Sequence, residues 1–150
     1  MKTKFINAYM DVAERFAQLS SATRLQVGAI VVKDDRIISI GYNGMPTGWD
    51  NCCEHTVQHH DLGTCTTVSK AEVLHAETNA IAKLAKSGES GLGATMFVTH
   101  APCIDCAKLV YQSGIATVYY KNKYRSTQGL DFLAKSGVEV IHHHTLEEQP

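Results

Sequence analysis

The chain has 150 residues, 44% of them hydrophobic and 19% charged, with a formal net charge of −1. That length and apolar content predict one folded domain, residues 1–150, burying roughly two-thirds of the surface its unfolded chain exposes, and they argue against a disordered segment or a repeat array. With no Lys/Arg-rich run and no long apolar stretch, neither a nucleic-acid-binding surface, a signal peptide nor a membrane span is expected.

In chain order, Ile6, Tyr9, Met10, Ala13, Phe16 and Ala17, with Leu19 as a further candidate, recur at helical spacing and predict a first helix. Val27 to Val32 reads as a strand, Lys33-Asp34-Asp35 as a turn, and Ile37 to Tyr42 as the hairpin partner. Asn43 to Leu74 reads as a long connecting loop. Between Val73 and Leu84, Leu74, Ala80, Ile81 and Leu84 lie on helical spacings, so a helix opens near His75. Gly88 to Gly93 is a loop, Thr95 to Thr99 a strand, and Pro102 to Gln112 a helix with Pro102 at its first position, where a missing N–H has no partner to lose. Thr117 to Tyr120 is a strand, Leu130 to Lys135 a short helix ending at Gly137, and Val138 to His142 the last strand. A helix between the last two strands makes that pair parallel and the fold α/β.

Two of these helix starts carry the chemistry. His75-Ala76-Glu77 opens one, and Pro102-Cys103-Ile104-Asp105-Cys106 opens the other. Cys103 and Cys106, three apart, share one face of a turn, where the helix dipole favours the thiolate that binds metal. His75, Cys103 and Cys106 make three ligands, and Glu77 is a carboxylate free to act beside them. A closed structural zinc site takes four protein ligands, whereas a catalytic one takes three and keeps a water. A lone C-x-x-C is as often a redox pair or half of a structural site, and a lone H-x-E arises by chance. Their joint occurrence points to catalytic Zn²⁺ and matches the signature of zinc nucleobase deaminases. Zinc brings the pKa of a bound water near neutrality. Glu77 would take a proton from that water, hand one to the ring nitrogen beside the amino-bearing carbon, and protonate the departing ammonia. Five cysteines are an odd number; with two committed to metal, a reducing, cytoplasmic setting is expected.

The segment Gly41-Tyr42-Asn43-Gly44-Met45-Pro46-Thr47-Gly48 adds a second signal. Together with Val27-Gly28-Ala29-Ile30, His75-Ala76-Glu77, Asn79-Ala80-Ile81 and Pro102 to Lys108, it resembles the deoxycytidylate (dCMP) deaminase family, from residue 20 to residue 140. The resemblance implies a three-layer α/β/α fold with a five-stranded mixed sheet, conversion of dCMP to dUMP, and a homohexamer. It also implies activation by dCTP and inhibition by dTTP, with Mg²⁺ on the triphosphate. By position, His75, Cys103 and Cys106 would hold zinc, and Glu77 would move protons. The Ala76 N–H would face the pyrimidine carbonyl, Asn43 the deoxyribose, Tyr124 the base or sugar, and Arg24 the phosphate, with Arg125 beside Tyr124 in the same substrate loop. Surface ion pairs are the other reading of Arg24 and Arg125, and a turn residue before Gly44 is the other reading of Asn43. Tyr42, Asn43 and Gly44 would form an effector site on the side of their loop away from zinc, with Gly41 and Gly44 letting backbone approach the ligand.

Several features depart from the family or stay open. Thr78 replaces a larger apolar residue, an exchange expected to alter helix packing and not chemistry. Ser20-Ser21 stands where some members carry a cysteine for a second zinc. Cys52, Cys53, His55, His59, His60 and Cys65 crowd the long loop, either as a loop-internal zinc site or as incidental polar residues, since their spacing fits no closed template. His142, His143 and His144 read as a metal cluster or as a solvated strand end, the latter favoured because no acidic or Cys partner neighbours them. Three other functions compete. A tRNA adenosine deaminase is disfavoured by the long link and the slightly acidic charge, a free-cytidine deaminase by the helix between the last strands, and an inert zinc-binding assembly module by Glu77.

Overall fold

The computed structural model describes residues 1–145. Helix α1 (Thr3–Ala17) forms where Ile6, Met10, Ala13 and Ala17 make one buried stripe. Strands β1 (Gly28–Lys33) and β2 (Arg36–Tyr42) follow as an antiparallel hairpin. Its two turn residues, Asp34 and Asp35, have φ of 50° and 57°. That is the left-handed turn geometry whose twist matches the two strands, and Asp tolerates it better than most residues.

The chain then departs from the expected loop. Glu54–His59 (β3) and Thr64–Ser69 (β4) pair as a separate two-stranded antiparallel ribbon. Thr and Val favour extended backbone here, but nearly every ribbon side chain is exposed or half-buried. With no buried face there is no strong apolar alternation to announce the strands.

Helix α2 (Ala76–Ala85), strand β5 (Thr95–His100), helix α3 (Ile104–Gln112), strand β6 (Thr117–Asn122), helix α4 (Gln128–Lys135) and strand β7 (Glu139–His142) complete the fold. The five-stranded sheet runs β2-β1-β5-β6-β7. β1 is antiparallel to β2 and β5, whereas β5–β6 and β6–β7 are parallel, so the sheet is mixed and the parallel ending is as expected.

Period-two alternation along the strands divides the core into two layers. Ala29, Val31, Met96, Val98 and Val118 pack against Ala80, Ala107, Val110 and Leu133 of α2, α3 and α4. Ile30, Val32, Phe97 and Tyr119 pack against Ile6, Met10 and Ala13 of α1. This is the three-layer α/β/α arrangement. Phe97 anchors the α1 side, stacked on Tyr119 at 4.9 Å and tilted against Tyr9 at 5.4 Å. Each large side chain buried in these layers contributes roughly 1.5–3 kcal/mol relative to exposure.

Three local expectations need correction. Pro102 precedes α3 and is not its first residue: Cys103 is the N-cap, extended at φ −68° and ψ 168°, and its sulfur accepts a bond from the Cys106 N–H. Gly41 admits no ligand, because a Cβ there would run into the Ala76 carbonyl oxygen and the Ala80 N–H; its smallness lets α2 cross β2. Gln128 and Gly129 are helical although the helix was expected from Leu130, since helix-disfavouring Gly129 is buried against the Pro102 carbonyl.

The three C-terminal histidines are tied into the fold. His142 Nε2 lies 2.8 Å from the Lys121 carbonyl oxygen and 3.0 Å from His144 Nδ1, and His143 Nε2 lies 2.9 Å from Asn7 Oδ1. No helix among the described residues is long and apolar enough to cross a membrane.

Candidate active site

The starts of α2 and α3 converge. His75, the N-cap of α2, places Nδ1 3.5 Å from Cys103 Sγ and 3.3 Å from Cys106 Sγ. Ligands of a tetrahedral zinc, with Zn–N near 2.05 Å and Zn–S near 2.3 Å, stand about 3.5 Å apart. The three residues therefore fit a zinc ion as they lie. Among the described residues they are the one group of three or more His, Cys, Asp or Glu drawn together tightly enough to hold a metal. The Cys and His residues of the β3–β4 region form no such group, and all five cysteines are free.

The ligand groups compete for protons. Hydrogen bonds from Cys106 and His75 hold the Cys103 thiol far below its usual range, at about 4. The bond to Cys103, with burial, pushes Cys106 upward, and the bond to Cys103 raises His75. A divalent cation displaces such shared protons, because thiolate and neutral imidazole are the ligating forms. Thr78 has a role here that packing alone does not describe. Its hydroxyl lies 3.6 Å from Cys106 Sγ and favours the thiolate.

Glu77 follows in the first turn of α2 and is only 4% exposed. Burial pushes its carboxyl up to about 7, opposed by its own N–H, by His75 and by the Cys106 thiol. A carboxyl poised near neutrality can both accept and return a proton. At the same helix start, Ala76 has an N–H with no acceptor inside the helix, as for every first-turn residue.

These groups open into a cavity of about 900 Å³. Of the residues singled out in the sequence, His75, Ala76, Glu77, Cys103, Arg24, Asn43, Tyr124 and Arg125 all line it. Cys106 is buried behind them, and Tyr42 and Gly44 are not part of the lining. Arg24 and Arg125 make no ion pair among the described residues; Arg125 stacks over Tyr124 at 5.5 Å. Asn43 is not a free turn residue. Its Oδ1 accepts from Val27 N–H at 2.8 Å, and its Nδ2 donates to the Leu25 carbonyl at 2.8 Å.

The ribbon that the sequence did not announce completes the site. Val68, Ser69 and Lys70 line the cavity, and Glu54 accepts from the N–H groups of Thr23 and Arg24 at 2.8 and 3.2 Å. Lys70, Lys123 and His100 are lining residues that sequence reading missed. Lys123 directly precedes Tyr124 and was within reach of it; nothing in the sequence marks Lys70 or His100.

Comparison with known proteins agrees with this geometry. A family model described as the cytidine and deoxycytidylate deaminase zinc-binding region matches residues 3–122. Deoxycytidylate deaminase of Enterobacteria phage T4 is 34% identical, with 88% of this chain and 86% of the relative aligned. Deoxycytidylate deaminase of Homo sapiens is 37% identical over 79% of this chain and 66% of its own. The crystal structure of dCMP deaminase from the cyanophage S-TIM5, in complex with dCMP and dUMP, superposes with a TM-score of 0.83 at 47% identity, covering 95% of this chain and 98% of the other.

Proposed function

The chain belongs to the cytidine and deoxycytidylate deaminase family defined by its zinc-binding region, and from this membership we propose that it deaminates dCMP hydrolytically to dUMP and ammonia. One observation carries the choice of substrate class: a cavity holding the His75–Cys103–Cys106 triad and Glu77 is also lined by four cations, Arg24, Lys70, Lys123 and Arg125. A pyrimidine suits the triad and Glu77, and a phosphate suits the cations. Bound Zn²⁺ supplies a Lewis acid and a water of lowered pKa. Glu77, buried beside the ligand triad, accepts a proton from the attacking water and delivers one to the ring nitrogen beside the amino-bearing carbon. It then takes the proton of the newly attached hydroxyl and gives it to the amino group, which leaves as ammonia as the ring carbonyl forms. Ala76 N–H receives the pyrimidine carbonyl, Asn43 and Tyr124 position the sugar and base, and Arg24 and Arg125 take the phosphate end.

Ammonia release from dCMP, deoxycytidine and a tRNA anticodon stem, assayed in parallel, tests the reading. Turnover confined to the tRNA, or faster on deoxycytidine than on dCMP, would replace it. Within that assay, Arg24→Ala is expected to lower kcat/KM for dCMP by about 10–100-fold, the range of a charge-assisted bond, and to spare deoxycytidine. Equal losses on both substrates would return Arg24 to a structural role.

The proposal extends to regulation. dCTP with Mg²⁺ would activate and dTTP inhibit, both at Tyr42, Asn43 and Gly44, in a cytoplasmic homohexamer of single-domain 1–150 subunits. Supporting this, a Cβ built at Gly44 meets open space, and Lys83 lies 5.9 Å over the Tyr42 ring. Asn43 ties that loop to residues 25–27 at the cavity, so one element touches both regions. A coupling of about 1–3 kcal/mol would be reciprocal between effector and substrate. Sedimentation and initial-rate curves should show a hexamer with sigmoidal dCMP dependence, made hyperbolic by dCTP and steeper by dTTP. A monomer indifferent to both triphosphates would remove the regulatory reading and leave the catalytic one.

A further inference from the structure

His100 ends β5 and pairs in parallel register with Asn122 of β6. It therefore stands where the carboxyl edge of the sheet meets two site segments: Ala101-Pro102-Cys103 ahead of it, and Lys123-Tyr124-Arg125 following its neighbour. Ligands of α/β sheets bind at this edge. His100 lines the same cavity as Glu77, Cys103, Lys123 and Arg125. No role in the mechanism above uses it.

Its ring is held from behind. Nδ1 lies 3.1 Å from the Thr99 hydroxyl, which already accepts the Gly28 N–H at 3.1 Å. Asn122 Nδ2 in turn donates to the Thr99 carbonyl at 2.7 Å. In the tautomer in which the Thr99 hydroxyl donates to Nδ1, the imidazole proton is carried on Nε2. Half-burial lowers the His100 pKa and so favours the neutral ring. Nε2–H has no partner among the described residues. A half-buried donor on a cavity wall, with its ring fixed by a backbone-anchored hydroxyl, is arranged to meet an acceptor.

We infer that His100 is a substrate-binding residue whose Nε2–H donates to an acceptor oxygen of the bound nucleotide. This rests on the dCMP reading of the cavity. His100 shares the cavity wall with Cys103, Lys123 and Arg125, and the mechanism gives it no part in activating water, so the oxygen it meets is the nucleotide's own. The bond would form with substrate and product alike, and its loss should appear in KM and in product affinity, leaving kcat little changed.

The test uses the zinc-loaded full chain and two substitutions that separate the ring nitrogens. His100→Gln keeps an amide N–H near the Nε2 position. His100→Asn keeps polarity near Nδ1 and removes the reach of Nε2. Steady-state kinetics on dCMP and deoxycytidine, with dUMP binding by calorimetry, are read beside zinc content and melting temperature. His100→Asn is expected to raise KM for dCMP and weaken dUMP about tenfold, at unchanged zinc content, and His100→Gln to recover most of that loss. A loss on dCMP alone identifies a phosphate oxygen, and a loss on both substrates a sugar or ring oxygen; both support the assignment. Wild-type KM and dUMP affinity in His100→Asn, or a His100→Gln variant as impaired as His100→Asn, would overturn it. Failure of the wild-type chain to act on dCMP would instead refute the functional reading itself.

Discussion

Glu77→Gln is expected to lower dCMP turnover by at least about 10²-fold while the protein still folds and retains its zinc. The side chain keeps its size, so the first turn of α2 and its packing stay intact. What is lost is a group able to accept a proton. The environment of Glu77 makes the effect large. Glu77 is 4% exposed, and among the described residues no other carboxylate lines the cavity to take its place. His75, Cys103 and Cys106 are untouched, so metal analysis of the variant should match the parent. Near-normal turnover in a variant of full zinc content would remove Glu77 from the proton-transfer role.

The second large effect is structural. Gly129→Ala should destabilise the protein by about 2–3 kcal/mol, the cost typical of overpacking, and lower Tm by roughly 5–10 °C. Gly129 lies in the first turn of α4, against the segment that carries the first cysteine ligand. An added Cβ would run into the Pro102 carbonyl oxygen and come within 2.9 Å of the Cys103 carbonyl carbon and oxygen. Those atoms are backbone and cannot swing aside as a side-chain tip does. Either α4 lifts from α3 or the Cys103 N-cap shifts, and both loosen the metal site. Weaker zinc retention against a chelator should therefore accompany the lower Tm. An unchanged Tm together with unchanged zinc retention would show that the α3–α4 contact yields without cost.

Much of this architecture is legible in the sequence because burial imposes periodicity. The α1 stripe, the β1–β2 hairpin and the parallel ending all follow from apolar positions that end up in the two core layers. The metal triad is legible for a different reason: zinc chemistry restricts ligand types, and helix starts restrict their spacing. The β3–β4 ribbon escaped because it buries almost nothing, so its Thr, His and Cys residues read as a ligand-rich loop. Lys70 and His100 escaped with it, since their place at the cavity depends on tertiary register and not on local pattern. Thr78 shows the limit of position-by-position comparison. Counted as a packing change, it instead places a hydroxyl against a ligand sulfur. Gly41 and Gly129 show another, because each is small to admit a neighbouring piece of the chain's own backbone.

The most direct measurement is dCMP deamination followed against zinc content in one preparation, stripped with a chelator and then titrated with Zn²⁺. The triad at the α2 and α3 starts predicts activity that falls to background on stripping, rises in proportion to bound zinc, and saturates at one zinc per chain, with dUMP and ammonia formed in equal amounts. Full turnover in verified zinc-free protein, or a zinc-saturated protein that leaves dCMP untouched, would contradict it.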